Sequence, residues 1–493
     1  AEGDTAFVDV YTVDAMDTTT YATSETSGVA ITNQFDSANG DLPYLTRSDW
    51  TGTFPAHDGE VTTVISTWGN EINGTDAEGN PASYAYGKPA NEELLEQLAS
   101  HESGNPVDPS SITDTPVYGA DNGLSLIDLR GLAFDDPKWD LLLDQLTPDD
   151  YQTLITSSGY GTPALDSVGK PYAMDADSAT GLVFGGTGIT YQGANIMAQT
   201  WNVELAEQFG NLIGNAALMG SGTIGWYCPA TNIHRTPFSG RNNEYYSEDG
   251  FQSGKIASAT VVEAAKKGMY TYIKHFALND QENHRGDGGG TGVATWANEQ
   301  AIREIYLKPF EMCVNSGTVD LNYVAQDENG TWQNVTGQVP ACNALMTAFN
   351  RIGTTWTGGD YNLLTSVLRN EWGFDGTVIT DYDNGGVMDT EQCIRAGGDL
   401  KLTGFEVDAP LDITNPASRY FARQALKHIL YTTVNSNAMN GIVHGTAVGE
   451  LPFANYYFIL IGEGIIATGL IAWGVVAIVR RWKKEKKGAQ TNA

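Results

Sequence analysis

The chain has 493 residues and a net charge of −33, and this acidity argues against a nucleic acid partner. Hydrophobic residues make up 41% of a chain that is too long for one small domain, so we expect a large folded domain with further parts. Its four cysteines form no Cys-x-x-Cys pair and no zinc spacing, which predicts free, buried thiols. No grouping of His, Asp and Glu is typical of a metal site, and the glycine-rich GLVFGGTGIT lacks the Lys-Ser/Thr pair of a phosphate loop. The sequence therefore predicts no cofactor.

The first 145 residues are irregular, with short β-like runs and no long helical pattern. We interpret residues 1–60 as the end of an upstream α/β sandwich or an inter-domain segment, and residues 61–145 as a linker that wraps the next domain.

Residues 146–445 alternate between helical and strand-like patterns. Apolar residues at three-to-four spacing predict helices in WNVELAEQFGNLIGNAALMG, QSGKIASATVVEAAKKG, NEQAIREIYLKPFEMCVNSG, YNLLTSVLRNEWG and SRYFARQALKHILYTTV. Short apolar runs predict strands in GWYCPATNIH, MYTYIKHF, ALMTAFN, TVITDYD and LKLTGF. Such alternation is typical of a parallel sheet with crossover helices, and its commonest closed form is a (β/α)8 TIM barrel.

One segment interrupts this alternation. TVDLNYVAQDENGTWQNVTGQVP, residues 318–340, alternates in the manner of a hairpin, with Asn329-Gly330 as the predicted turn. Because it lies between a predicted helix and the following strand, we place it on the N-terminal face of the barrel, away from the chemistry.

Polar side chains recur where the predicted strands end. They are Asp175 and Asp177, Asn232 and Arg235, Lys274 and His275, Asn350, and Asp381. Barrel enzymes place their sites at this end of the strands. Side chains of these types form directional hydrogen bonds with hydroxyl groups, and Met346, Phe349 and Tyr382 offer apolar or aromatic faces for a sugar ring. The pattern therefore favours carbohydrate chemistry.

Residues 456–479, YYFILIGEGIIATGLIAWGVVAIV, form an apolar run that as a helix would extend roughly 36 Å, enough to cross a bilayer. Six Lys and Arg residues follow in the tail at residues 480–493. The positive-inside rule predicts a single-pass membrane protein with a cytoplasmic C-terminus and an extracellular barrel. Glu463 is an ionisable group within this run, and its role stays open. An exported domain needs a signal, so we expect sequence upstream of residue 1.

Three segments closely resemble glycoside hydrolase family 3, in its β-glucosidase/β-xylosidase branch. They are NIHRTPFSGRNNEYYSEDG, KHFALNDQENHR and ALMTAFNRIGTTWTGGDYNLLTSVLRNEWGFDGTVITDY. The resemblance covers roughly residues 150–440. It implies a retaining glycosidase in which Asp381, in Thr380-Asp381-Tyr382, is the nucleophile. It also implies that Asp177, Arg241, Lys274 and His275 bind the sugar in the innermost subsite, with Met346 and Phe349 in the wall of that subsite.

The sequence departs from this family at several positions. Asp177-Ser178-Ala179 stands where the family often has Asp-Gly-Pro, Phe349 where it often has Tyr, and Tyr382 where it often has Trp. Most members place an α/β sandwich after the barrel, and this sandwich supplies the acid/base glutamate. Here residues 33–55 resemble the segment that joins sandwich to barrel in members of reversed order. The resemblance therefore implies that the sandwich and its acid/base lie outside this chain, upstream or on a separate chain.

Two other functions stay open. A non-catalytic cell-surface carbohydrate-binding protein would suit a chain without an acid/base residue, although Asp381 argues against it. A β-N-acetylhexosaminidase is disfavoured, because that branch has Lys-His-Phe-Pro-Gly-His-Gly where this chain has Lys-His-Phe-Ala-Leu-Asn.

Overall fold

The computed structural model describes residues 22–39, 60–64, 84–87, 92–113, 116–184, 189–235, 239–282, 285, 292–383, 388–403, 411–448 and 455–491. The chain consists of two compact units, Ala1–Thr446 and Ala447–Ala493. Most of residues 1–91 lie outside the described residues. They comprise the predicted sandwich end, residues 1–60, and the first part of the predicted linker, residues 61–145. Within 22–39, the backbone N–H groups of Gln34 and Phe35 donate to Oε2 of Glu299 at 3.0 and 2.7 Å, so this segment is held against the first unit.

The strands, in chain order, are β1 (Glu60–Val64), β2 (Tyr84–Gly87), β3 (Gly161–Thr162), β4 (Ala173–Asp177), β5 (Thr223–Tyr227), β6 (Tyr270–Phe276), β7 (Ala294–Thr295), β8 (Thr318–Gln326), β9 (Trp332–Pro340), β10 (Ala344–Thr347), β11 (Arg351–Ile352), β12 (Thr355–Trp356), β13 (Thr377–Tyr382) and β14 (Leu400–Leu402).

The α-helices are α1 (Asp36–Asn39), α2 (Glu92–Leu98), α3 (Lys138–Leu143), α4 (Pro148–Thr156), α5 (Ala194–Gln199), α6 (Val203–Ala216), α7 (Gly250–Ala265), α8 (Glu299–Ala301), α9 (Lys308–Val314), α10 (Thr390–Ala396), α11 (Pro416–Val434) and α12 (Asn455–Thr491). Wider π-type turns form Ala217–Ser221, Ile302–Tyr306 and Asn362–Glu371.

A seven-stranded sheet lies at the centre of the first unit, in the order β14-β13-β10-β6-β5-β4-β3. Its neighbouring strands pair in parallel, apart from the antiparallel pair β3 and β4. Helical segments connect successive parallel strands, as parallel pairing requires. One isolated parallel bridge joins Ser158 to Leu402, at the two ends of this order. The first unit is therefore a TIM-barrel-like α/β fold, as predicted, but a closed eight-stranded barrel is not shown.

Both faces of the sheet are buried, which is usual for parallel strands covered by helices. Successive residues of a strand point to opposite faces, and the strands β5 and β6 show this clearly. Trp226 and Ile273 pack in one apolar cluster, with residues of α6, α7 and α9. Their neighbours Tyr227 and Tyr272 pack in a second cluster, with residues of α4 and α11.

The helices that cover the sheet begin where a short polar side chain caps the first turn. Asn202 Oδ1 accepts the Leu205 N–H at 3.1 Å before α6, and Asp249 Oδ1 accepts the Gln252 N–H at 2.9 Å before α7. These caps fix where each helix starts relative to the preceding strand end.

The predicted hairpin is confirmed. Strands β8 and β9 pair over nine antiparallel residue pairs, and Gly330 takes a positive φ of 77° in the turn. By contrast, the single helix predicted over residues 298–317 is divided into α8, a π-type segment and α9. Pro309 lies in the first turn of α9, where its missing N–H removes no helical hydrogen bond.

All four cysteines, Cys228, Cys313, Cys342 and Cys393, are free and buried, as predicted. Burial raises the pKa of each thiol above its usual range.

The second unit contains α12. Within it, Phe458–Lys484 is long and apolar enough to cross a membrane, with a mean hydropathy of 2.0. Large side chains such as Ile465, Ile471 and Trp473 are exposed along it. Length and composition are the only support for a membrane span, so the span stays a prediction.

Candidate active site

Asp381 lies near the carboxyl end of β13, and only 8% of the residue is exposed. Its Oδ1 accepts the backbone N–H of Tyr382 at 2.7 Å. Its Oδ2 is buried without a hydrogen-bond partner among the described residues. Nε2 of the His275 imidazole lies 3.6 Å from this oxygen. Burial raises the pKa of Asp381 to about 6, although Arg241, the Tyr382 N–H and Lys274 oppose the shift. One carboxylate oxygen is therefore fixed by the backbone, and the other makes no hydrogen bond among the described residues.

His275 lies in β6, which is separated from β13 by β10 in the sheet, and it is almost fully buried. Asn232 fixes its peptide on both sides, because Oδ1 accepts the His275 N–H at 2.6 Å and Nδ2 donates to the His275 carbonyl at 2.8 Å. The Tyr245 hydroxyl lies 3.3 Å from Nδ1 of the imidazole. Burial, together with Arg241 and Lys274, lowers the pKa of His275 well below its usual range, so the ring is neutral.

Lys274 sits between two carboxylates. Its Nζ lies 2.9 Å from Asp177 Oδ1, at the end of β4, and 3.4 Å from Glu244 Oε1. Burial opposes the charge of Lys274, but acidic neighbours, including Cys228, Asp177 and Glu244, raise its pKa overall. The ammonium group therefore stays charged while its side chain is only 4% exposed.

A second basic side chain extends this network. Arg241 Nε lies 2.7 Å from Glu244 Oε2, and its NH1 lies 3.5 Å from Glu282 Oε1. Glu282 in turn pairs with Arg285 at 2.8 Å. Glu244 and Glu282 are therefore both paired with arginines. Sequence reasoning missed that Glu244 also binds Lys274, thirty residues further along the chain.

The three side chains predicted to offer apolar or aromatic faces occupy different environments. Phe349 is 6% exposed and lies under the guanidinium of Arg285, with 4.4 Å from Cζ to the ring centroid. Tyr382 is 38% exposed at the end of β13. Met346 is 2% exposed and packs in the apolar cluster that contains Tyr272. The structure places Phe349 next to the ionic network through Arg285, and the sugar contacts of all three residues stay predictions.

Asp383, two residues beyond Asp381, has a different environment. Its Oδ2 lies 2.6 Å from Nζ of Lys401 in β14, and both side chains are almost fully buried. Asp383 therefore neutralises an internal lysine.

Other strand-end residues also have structural partners. Asp175 accepts the hydroxyls of Tyr227 and Tyr270 at 3.1 and 3.0 Å, and burial raises its pKa to about 7. Asn350 donates to the carbonyls of Ala277 and Leu278 at 3.0 and 3.1 Å. These residues support the backbone around the site and do not join the ionic network.

A groove of about 550 Å³ lies elsewhere, between the outer surfaces of α6, α7 and α9. None of the strand-end residues lines it. The candidate site is therefore defined by its convergent side chains. Residues 384–387 and 404–410, which follow β13 and β14 in the sequence, lie outside the described part of the chain.

Comparison with known proteins finds similarity to glycoside hydrolases. The family described as "Glycosyl hydrolase family 3 N terminal domain" matches residues 156–329, which include Asp177, Arg241, Lys274 and His275 and end before Asp381. Beta-glucosidase A of Butyrivibrio fibrisolvens is 34% identical over 253 residues, 50% of this chain and 26% of that protein. A beta-glucosidase of Rhizobium radiobacter is 31% identical over 272 residues, 54% of this chain and 30% of that protein.

A solved structure supports the fold. The beta-glucosidase of Paenibacillus barengoltzii matches with a TM-score of 0.53 at 23% identity, covering 77% of this chain and 41% of that one. The chain spans between a quarter and a third of the length of the two curated relatives. With its TIM-barrel-like sheet and a matching stretch at residues 156–329, this part of the chain is similar to the N-terminal domain of glycoside hydrolase family 3.

Proposed function

We propose that this chain is the barrel part of a retaining β-glycosidase, similar to a β-glucosidase, that hydrolyses terminal β-linked sugars. The observation that carries this proposal is the environment of Asp381. Its Oδ2 makes no hydrogen bond among the described residues and lies 3.6 Å from a neutral imidazole, so no hydrogen bond to these residues has to break before it bonds to an electrophilic carbon. With a pKa of about 6, the carboxylate is ionised at neutral pH.

The ionic network beside Asp381 is suited to holding a sugar. Asp177, Arg241, Lys274 and His275 offer acceptors and donors for ring hydroxyls. Glu244 pairs with Arg241 and Lys274, and Lys274 pairs with Asp177, while Asn232 holds the peptide of His275. These groups are thus fixed before substrate arrives, so little ordering is required on binding. Met346, Phe349 and Tyr382 are proposed as the apolar faces of this subsite.

In the proposed mechanism, Asp381 Oδ2 attacks the anomeric carbon while the bond to the leaving oxygen breaks. The product is a covalent glycosyl-aspartate, and water then attacks the same carbon to release the sugar and regenerate Asp381. The leaving oxygen takes a proton from a carboxylic acid, which later removes a proton from the attacking water. Retaining enzymes hold these two carboxyl groups about 5–5.5 Å apart.

The acid/base is proposed to come from outside this chain. An acid must carry a proton, but Asp177, Glu244 and Glu282 each pair with a Lys or Arg. Although burial raises the pKa of Glu244, Lys274 and Arg241 hold it below its usual range, which keeps this carboxylate ionised. The greater length of the curated relatives leaves room for another domain, and we propose an α/β sandwich, upstream or on a separate chain.

The proposal extends to a closed (β/α)8 barrel and to the cell location. Residues 456–479 would cross the cell membrane once, with the barrel outside and the basic residues 480–493 in the cytoplasm. The apolar segment Phe458–Lys484 supports this arrangement by its length and composition.

Asp177, Glu244 and Glu282 each pair with a basic side chain, so none of them is free to act as the acid. This also favours a second candidate function, a non-catalytic surface protein that binds carbohydrate. The two candidates differ in whether Asp381 forms a covalent bond.

An activated β-glycoside with a fluoride or dinitrophenolate leaving group tests this difference. Such leaving groups need little protonation, whereas general acid help contributes about 10²–10⁴-fold for poor ones. We expect slow labelling of the chain by a 2-fluoro-glucoside of this kind, with the added mass on the peptide that contains Asp381. Disaccharide hydrolysis should need the sandwich domain.

Asp381→Asn should remove the label, while Asp389→Asn should keep it. Asp389 caps α10, and asparagine retains the capping oxygen. Sugar binding without any label on Asp381 would support the binding protein instead. Full disaccharide hydrolysis by residues 1–493 alone would overturn the external acid/base.

A further inference from the structure

The imidazole of His275 lies between the Tyr245 hydroxyl and the Asp381 carboxylate. Tyr245 is 1% exposed, and its ring lies edge-on to the imidazole with 6.2 Å between the centroids. The hydroxyl oxygen lies 3.3 Å from His275 Nδ1, while Nε2 of the same ring lies 3.6 Å from Asp381 Oδ2. One imidazole nitrogen, Nδ1, therefore faces Tyr245, and the other, Nε2, faces Asp381.

The neighbours of Tyr245 limit how this chain can be protonated. Asn279 Nδ2 donates to the Tyr245 oxygen at 3.2 Å, and the Asn279 carbonyl lies 3.2 Å from the same oxygen. The hydroxyl has one hydrogen, so it donates either to this carbonyl or to His275 Nδ1. Because burial keeps His275 neutral, the imidazole carries only one N–H.

Each choice has a different consequence for Asp381. If Tyr245 donates to Nδ1, the imidazole proton is on Nε2, and this N–H points toward an ionised Asp381. If Tyr245 donates to the Asn279 carbonyl, Nδ1 carries the proton and the lone pair of Nε2 faces Asp381 instead. That second arrangement favours a protonated carboxyl, which cannot act as a nucleophile.

We propose that Tyr245 is a positioning residue that donates to Nδ1 and thereby holds His275 as the Nε2–H tautomer, which stabilises the ionised nucleophile. This inference rests on the proposed function of Asp381. The distance of 3.6 Å is longer than a hydrogen bond, and such contacts often shorten when substrate binds. The charged groups around the pair are Arg241, Lys274 and Arg285. Arg241 lies on the same segment as Tyr245, with its Cζ 5.9 Å from the centre of the Tyr245 ring, and Tyr245→Phe keeps that ring.

The pH dependence of labelling by the activated fluoro-glucoside tests this role. Tyr245→Phe removes the only hydroxyl that can donate to Nδ1 among the described residues, so Asp381 loses N–H support and its apparent pKa rises. We expect the acidic limb of the labelling profile to move upward by about one pH unit, a tenfold change in the ionised fraction on that limb. A purely structural role would slow labelling equally at every pH.

Tyr246→Phe is the matched control. Tyr246 is also buried, but it lies in the apolar cluster on α6 and α7 and interacts with Thr260, away from Asp381. Tyr246→Phe likewise removes one phenolic oxygen, but it should leave the acidic limb of the labelling profile in place. Identical limbs for Tyr245→Phe and the wild-type chain would overturn the proposal.

A second readout does not depend on activity. Nitrogen-15 NMR of the imidazoles distinguishes a protonated from an unprotonated ring nitrogen, and the signal missing in His275→Ala identifies His275 among the seven histidines. We expect the Nε2–H tautomer in the full chain and a shift toward Nδ1–H in Tyr245→Phe. An Nδ1–H tautomer in the wild-type chain would overturn the inference. Failure of all labelling together with the expected tautomer would instead count against the proposed nucleophile.

Discussion

Replacing Asp381 by asparagine should stabilise the protein at neutral pH. Burial raises the pKa of this carboxyl from 3.8 to about 6 in the folded state. As the pH rises, the unfolded chain therefore releases this proton before the folded chain does, and folding loses stability between these two values. A shift of about two units corresponds to about 3 kcal/mol at pH 7 and falls to less than 1 kcal/mol at pH 4.

Urea unfolding of the full chain in detergent, followed by tryptophan fluorescence, measures this effect. The free energy of unfolding of Asp381→Asn should exceed that of the wild-type chain by about 2–3 kcal/mol more at pH 7 than at pH 4. The amide oxygen of asparagine can still accept the Tyr382 N–H, so the comparison isolates the ionisation. A difference that is independent of pH, or that is larger at pH 4, would refute the reasoning.

Asp383→Asn supplies a contrast of opposite sign. This carboxylate neutralises the buried Lys401 at 2.6 Å, and its loss leaves an unpaired charge in the interior. Breaking such a pair costs about 3–5 kcal/mol, so this variant should be less stable than the wild-type chain at pH 7. Stabilisation by both substitutions would show that the two carboxylates have been distinguished wrongly.

Three further predictions concern the framework. Asp399→Ala should lower the free energy of unfolding by about 3–5 kcal/mol in urea, because Asp399 pairs with Arg369 and His428, each at 2.8 Å, in the interior; a loss below 1 kcal/mol would contradict this. Gly225→Ala should prevent normal folding, as judged by circular dichroism, since its Cβ would collide with the Asp175 carboxylate and the Tyr270 ring. Deleting residues 456–493 should release the barrel from membranes in a fractionation assay, and retention of the truncated chain would exclude these residues as the anchor.

Much of the fold can be predicted from the sequence because its signals are local. The β-branched run Thr377-Val378-Ile379-Thr380 predicts β13, and Asn329-Gly330 predicts the hairpin turn. Asp381 could be placed at a strand end for the same reason. The division of the helix at Ile302–Tyr306 was not predicted, since apolar spacing does not distinguish a π-type turn from an α-helical one.

The contacts that organise the site depend on distant residues, which periodicity cannot pair. Lys401 lies eighteen residues after Asp383 and on another strand. Glu244 reaches Lys274, and Tyr245 reaches His275, across thirty residues of chain. A charged or hydroxyl side chain inside a quoted motif signals that a partner exists, but the identity of the partner follows only from the packing of the strands.

The four buried thiols can report local unfolding of the protein by their reactivity. Cys228, Cys313, Cys342 and Cys393 are distributed along the first unit, after β5, in α9, before β10 and in α10. Because a thiol must be both exposed and deprotonated to react, an alkylating reagent added to the native protein has to wait until each region opens. The order in which the four sites become alkylated would therefore report which parts of the first unit open first, without any engineered residue.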